Sequence, residues 1–164
     1  MKRTSFAKWP CSIARTVDLV GDWWTPLVLR EAFYGTTRFD DFERILGIGR
    51  NVLTQRLNRL VEVGVLTRVP YQQNPVRHNY VLTEKGRDLF PILAAMGSWG
   101  DKWLANEDGP PVVLMHTACD HPANAEVVCS HCREPLDARE IKPNLGPGFP
   151  ERHRASALAT GRFG

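Results

Sequence analysis

No run of apolar side chains in this chain approaches the ~18 residues that a membrane-spanning helix takes. The opening MKRTSFAKWPCS is basic but has neither the apolar stretch nor the small-residue cleavage site of a secretory signal. A cytoplasmic protein with no membrane partner is therefore expected. Cysteine is scarce, with four in 164 residues and three of them between 119 and 132; without export they are not expected to form a disulfide framework. Catalytic arrangements are missing too. A zinc deaminase needs His-x-Glu ahead of Pro-Cys-x-x-Cys, but His116 is followed by Thr117-Ala118 and Val128 precedes Cys129. A thiol oxidoreductase could use Cys129-Ser130-His131-Cys132, yet nothing around it reads as the βαβ setting of that chemistry. No enzyme is expected. The net charge of +3 is too small to establish a nucleic-acid partner by itself.

What the chain has is order. With 43% hydrophobic residues it can bury one core plus an appendage. From Arg38 to Tyr80 the pattern is a short helix, a second amphipathic helix and a two-stranded hairpin. RFDDFERIL puts Phe39, Phe42, Ile45 and Leu46 at helical spacing, and Gly47-Ile48-Gly49 supplies a turn that lets a second helix cross the first. In NVLTQRLNRLVEVG, Leu53, Leu57, Leu60 and Val61 share one face and Asn51, Gln55, Asn58 and Arg59 the other, flanked by Thr54 and Arg56, with Gly64 as the stop. Amides and guanidinium groups with few carboxylates suit base edges and phosphates in a major groove. Val65, Leu66 and Val69 read as a first strand, Gln72-Gln73-Asn74-Pro75 as a turn, and Arg77 to Leu82 as the returning strand. Such a wing could bring Arg77 and His78 to phosphates or a narrow minor groove; a plain solvated hairpin is the alternative. Residues 36–87 carry nine Lys or Arg against five Asp or Glu, so this module is the basic part of the chain.

Two helices are expected ahead of the module. One runs from Ser12 to Val20; the other is capped by Asp22 and contains the Trp23-Trp24 pair, read as core or interface packing. Behind the wing, Thr83 is expected to cap one long helix to about Leu104, with Leu89, Phe90, Leu93, Met96, Trp99 and Trp103 along one stripe. One small domain cannot easily cover so much apolar surface, so the stripe is read as a homodimer seam. The fold class is thus α+β, mainly α: a winged helix-turn-helix with flanking dimerisation helices and a small β-rich C-terminal extension. The expected divisions are an arm at 1–10, the DNA-binding domain at 11–106, the extension at 107–148 and a flexible tail at 149–164.

Residues 11–104 resemble the HxlR-type branch of the MarR-like winged-helix regulators. The resemblance rests on Cys11, on LVGDWW and LVLRE between Leu19 and Glu31, on Arg38-Phe39, on NVLTQRLNRL at 51–60 and on PVRHNYVLTEKGR from Pro75 to Arg87. The chain departs from that pattern in having Ser12 after Cys11, where proline is common, and Val76 after Pro75. The resemblance implies a homodimeric regulator, usually a repressor, that binds inverted repeats in double-stranded DNA and needs no cofactor to do so. The expected DNA contacts are Gln55 and Arg59 on base edges, with Arg38, Arg50, Asn51, Thr54, Arg56, Arg77 and His78 around them. A winged helix used only for protein contacts is the alternative. The resemblance also implies a small-molecule or thiol-reactive inducer, with Cys11 as its sensor; a packed, inert Cys11 is the other reading.

Beyond Gly109-Pro110-Pro111 the pattern changes. His116-x2-Cys119-x9-Cys129-x2-Cys132 has two pairs spaced like the knuckles of a zinc ribbon, so a structural zinc is expected, tying strands Val112–Met115 and Ala125–Val128 together. His121 and His131 are rival ligands, and free thiols in a small β unit are the alternative. The last twenty residues, rich in Gly, Pro, Ala and Arg, read as a flexible tail.

Overall fold

The computed structural model describes residues 5–161 and 163. It divides the chain into two compact units, one of Met1–Leu19 with Glu126–Gly164 and one of Val20–Ala125. The division does not follow the expected boundaries, because the segment up to Ala125 belongs with the helix-turn-helix. The Ala125 amide donates to the Ser98 hydroxyl at 3.0 Å.

Helix α1 spans Ser12–Val20 and buries none of its residues; Ile13 and Val17 are exposed. Helix α2, Thr25–Phe33, begins later than expected. The Asp22 carboxylate accepts from the amides of Trp24 and Thr25, both at 3.0 Å, and Pro26 occupies the first turn, where its missing N–H costs nothing. The tryptophans therefore precede the helix, and Trp23 is 91% exposed instead of packed in the core. Helices α3, Phe39–Leu46, and α4, Arg50–Glu62, follow the expected register. Gly47 closes α3 at φ +61, in the left-handed region that glycine enters without steric penalty.

The core of this unit is small. Val28 and Leu29 of α2, Phe42 of α3, Ile48 of the turn, Leu53, Leu57 and Leu60 of α4, and Val65 and Leu66 are all buried. Each such side chain contributes about 1.5–3 kcal/mol by leaving water. This packing fixes α4 against α2 and α3 and turns its polar face outward.

Strands β1, Leu66–Gln73, and β2, Val76–Leu82, pair antiparallel with Leu66 opposite Leu82 and Gln73 opposite Val76, and a bulge lies between Pro70 and Gln72. The turn is only Asn74-Pro75. Gln72 and Gln73, expected in the turn, are the end of the strand, because an exposed ladder accepts polar side chains on its solvated face. The Tyr80 amide donates to the Thr37 carbonyl at 2.8 Å, and Arg38 bridges Asn79, so the returning strand is anchored just ahead of α3.

The long helix expected behind the wing is two helices. Helix α5, Glu84–Arg87, is capped by the Thr83 hydroxyl, which accepts from the Gly86 amide at 3.1 Å. Helix α6 runs from Phe90 to Trp103 with Pro91 in its first turn. Proline has no N–H to donate and clashes with the preceding turn, so the chain restarts there. Met96, Trp99 and Trp103 stand exposed on α6.

The extension differs from the expected strand pair. Met115–His116 (β3) and His121–Pro122 (β4) form a tight hairpin, and Val128 forms an isolated bridge with Pro135. Each closes locally on its own turn, so Val112–Met115 does not pair with Ala125–Val128. The end of the chain is also more ordered than its composition suggested, with helix α7 at Glu151–Ala159. Among the described residues, no helix is long and apolar enough to cross a membrane.

Candidate nucleic-acid interface

Three turns of α4 decide what the unit can touch. Leu53, Leu57 and Leu60 are buried, which leaves Arg50, Asn51, Thr54, Gln55, Asn58 and Arg59 exposed on the opposite side. Amides and a hydroxyl occupy the middle of that face and guanidinium groups its ends. This gives both donors and acceptors for base edges, with cations placed for the flanking phosphates.

The cations are not free. The Arg50 guanidinium lies over the Phe39 ring at 4.8 Å from its centroid, pairs with Glu43 and is 3.5 Å from Asp40. Arg77 of the wing reaches the other oxygen of Asp40 at 3.8 Å. One carboxylate thus stands between the start of α4 and the wing. Arg59 pairs with Glu62 at 3.0 Å. Exposed pairs of this kind are worth about 1 kcal/mol or less, so a phosphate can replace the carboxylate at little cost. Arg38 stacks over Tyr71 at 4.8 Å, which holds it beside the wing.

Two expected contacts sit differently. Arg56 is half-buried, its Nε 3.1 Å from Asp22 but without a well-directed hydrogen bond. It ties α4 to the residue that caps α2. His78 is half-buried within the ladder opposite Pro70, while Arg77 beside it is exposed. Arg68 escaped the sequence reading: it bonds to the Asn58 amide oxygen and lies over Tyr80 at 5.8 Å, another exposed cation beside α4. Its position across the strand pairing gave no local signal.

Cys11 is the residue from which α1 starts. The Arg15 amide donates to its carbonyl at 3.1 Å, and the Ala14 amide points to its exposed sulfur at 3.5 Å. The other sulfur groups form two turns of one shape. In the first, the Asp120 amide donates to the His116 carbonyl at 2.8 Å, and the Cys119 sulfur lies 3.3 Å from His116 Nδ1. In the second, the Arg133 amide donates to the Cys129 carbonyl at 2.9 Å. Asp120 (φ 57) and Arg133 (φ 66), each directly after the second member of its pair, are in the left-handed region. Hydrogen bonds from the amides of Cys132 and His131 and from the Cys132 thiol hold the Cys129 thiol below its ordinary pKa. The pairs lie in different units, and among the described residues no three His, Cys, Asp or Glu converge to hold a metal ion.

A buried hydrophobic wedge carrying a polar reading helix, followed by a wing with an exposed arginine, defines the class of winged helix-turn-helix DNA-binding proteins. A family model of HxlR-like helix-turn-helix proteins matches residues 19–108. The chain is 47% identical over 145 residues to an uncharacterized HTH-type transcriptional regulator of Mycobacterium tuberculosis, covering 88% of this chain and 92% of that one. The chain belongs to the HxlR-like helix-turn-helix family, whose members are transcriptional regulators. Among solved structures it resembles PA1607, with TM-score 0.78 and 36% identity over 87% of this chain and all of that one. It also resembles the redox regulator HypR in its reduced form, with TM-score 0.53 and 34% identity over 56% of this chain and 92% of that one.

Proposed function

We propose that this HTH-type regulator is a repressor that binds inverted-repeat operators as a homodimer. The observation that carries the reading is the exposed Asn51, Thr54, Gln55, Asn58 and Arg59 face of α4, held rigid by three buried leucines. Dimerisation is supported by the uncovered apolar side chains of α1 (Ile13, Val17) and α6 (Ile92, Met96, Trp99, Trp103), which recur three and four residues apart like those of a helix–helix seam. Two-fold symmetry would set half-sites about one helical turn apart, ~34 Å, or a multiple of it. Selection of bound fragments from the source genome, followed by footprinting, tests this: two protected half-sites at that spacing are expected. If no fragment is enriched, α4 and the wing serve protein contacts instead.

Cys11 is proposed as the point at which thiol-reactive signals act. It is exposed at a helix start, and the structural relative HypR is named a redox regulator. Loss of operator binding on treatment with a quinone or peroxide, abolished in Cys11→Ser, is the expected result. A structural zinc held by His116, Cys119, Cys129 and Cys132 is also proposed, on the spacing of the pairs and the shared shape of their turns. About one zinc per chain in protein purified without chelator, lost in Cys129→Ser, would support it. Metal-free protein that melts like Cys129→Ser would make these ordinary thiols.

A further inference from the structure

Within the unit Val20–Ala125 there is a cavity of about 610 Å³. Leu27, Glu31 and Tyr34 of α2 form one wall, Leu93, Gly97 and Asp101 of α6 another, and the segment 110–114 a third. That segment lies beyond residues 19–108, so the cavity combines the family domain with the extension. Its size suits a drug-sized molecule, and its lining is mostly apolar with a few polar groups, as in small-molecule sites.

Its charges are specific. Glu31 is one of two buried polar residues among the described residues, 6% exposed. Arg30 donates twice to one oxygen, Nε at 3.0 Å and Nη2 at 2.7 Å to Oε1, and among the described residues Oε2 accepts nothing. Asp101 is in no ion pair among the described residues. The cavity therefore holds two carboxylates against one guanidinium, and Glu31 Oε2 has no protein donor among the described residues. A cationic ligand that donates to that oxygen gains a charge-assisted hydrogen bond in a mostly apolar surround.

We propose that this cavity is an effector site for a lipophilic cation: a flat or branched apolar body carrying an amine or other positive group that meets Glu31 and Asp101. This deepens the regulator reading, since it rests on the chain being a transcriptional regulator that answers a small molecule. The route to DNA is short. The opposite side of α2 carries Val28 and Leu29 into the core under α4, and Asp22, which caps α2, pairs with Arg56 of α4. A ligand that displaces α2 moves the support of the reading helix. The cavity row of α6 (Leu93, Gly97, Asp101) adjoins its exposed row Ile92, Trp99 and Trp103, with Met96 belonging to both.

The full chain, without DNA, is titrated into rhodamine 6G, a planar lipophilic cation, and into anilinonaphthalene sulfonate, an apolar anion, with anisotropy and emission read. The cation should bind at least on the order of tenfold more tightly than the anion. Gly97→Leu is the blocking variant. A side chain there meets no atom within 4 Å at its first carbon, so it fills the cavity without straining the helix, and both dyes should be lost while circular dichroism and sedimentation stay unchanged. Glu31→Gln should weaken the cation on the order of tenfold and leave the anion unaffected. Should Glu31→Gln fail to fold, Asp101→Asn, an exposed change, makes the same charge test with a several-fold effect. Undiminished cation binding in folded Gly97→Leu, or equal binding of both dyes, overturns the proposal. Enrichment of genomic fragments by the dye-free protein is measured separately, so failure of the regulator reading is told apart from failure of the cavity.

Discussion

Gln55 lies at the centre of the exposed face of α4, and Arg77 at its edge on the wing, and the two should fail differently when replaced. Gln55→Ala is expected to cost ~1 to 3 kcal/mol on the operator and to relax preference at one base pair, since a side-chain amide reads a base edge. Arg77→Ala should weaken every sequence alike and reduce the slope of log affinity against log salt by about one. Unchanged base preference in Gln55→Ala would remove it from the reading role. Arg56 makes the contrasting case. Because it pairs with Asp22 inside the scaffold, Arg56→Ala should lower the melting temperature and leave the salt slope untouched. Asp40 is ion-paired with both Arg50 and Arg77, so Asp40→Asn should release both cations and tighten binding to nonspecific duplex, as measured by competition at low salt. Weaker binding would mean that Asp40 positions these arginines instead of restraining them.

At the scale of elements, α1, α3 and α4 were legible in the sequence because their apolar residues recur at 3.6-residue spacing and glycines stand at their ends. The reading face was legible for the same reason: burying Leu53, Leu57 and Leu60 exposes Gln55 and Arg59. What was hidden depended on distant partners. Nothing local ties Asp22 to Arg56 or Arg68 to Asn58. The break before α6 follows from Pro91, whose effect an apolar stripe running through it concealed. The strands expected at 112–115 and 125–128 did not form because each sulfur-bearing turn closes on its nearest neighbours. Gly86 offers a test of how closely the elements pack. A Cβ there would run into the Val65 carbonyl oxygen, so α5 sits against the start of the wing as only glycine allows. Gly86→Ala should destabilise the chain by about 1–3 kcal/mol in denaturant unfolding, and an unchanged midpoint would refute that close approach.

The molecule as a whole joins a polar reading helix to apolar helices that its own chain leaves uncovered. In the proposed homodimer, each copy would read one half-site with its own α4. The extension adds a wall to the cavity beside α2 and α6, so the part of the chain outside the family domain bears on the part that would answer a ligand. The proposed regulator binds DNA with α4 and the wing, by sequence and through phosphates. The most direct test of this is the affinity for an enriched genomic fragment and for a shuffled duplex of equal length, each followed from low to moderate salt. Counterion release predicts that both affinities fall linearly in log–log form. The genomic fragment should bind on the order of 10³-fold or more tightly than the shuffled one. Equal affinity for the two duplexes, or a flat dependence on salt, would contradict it.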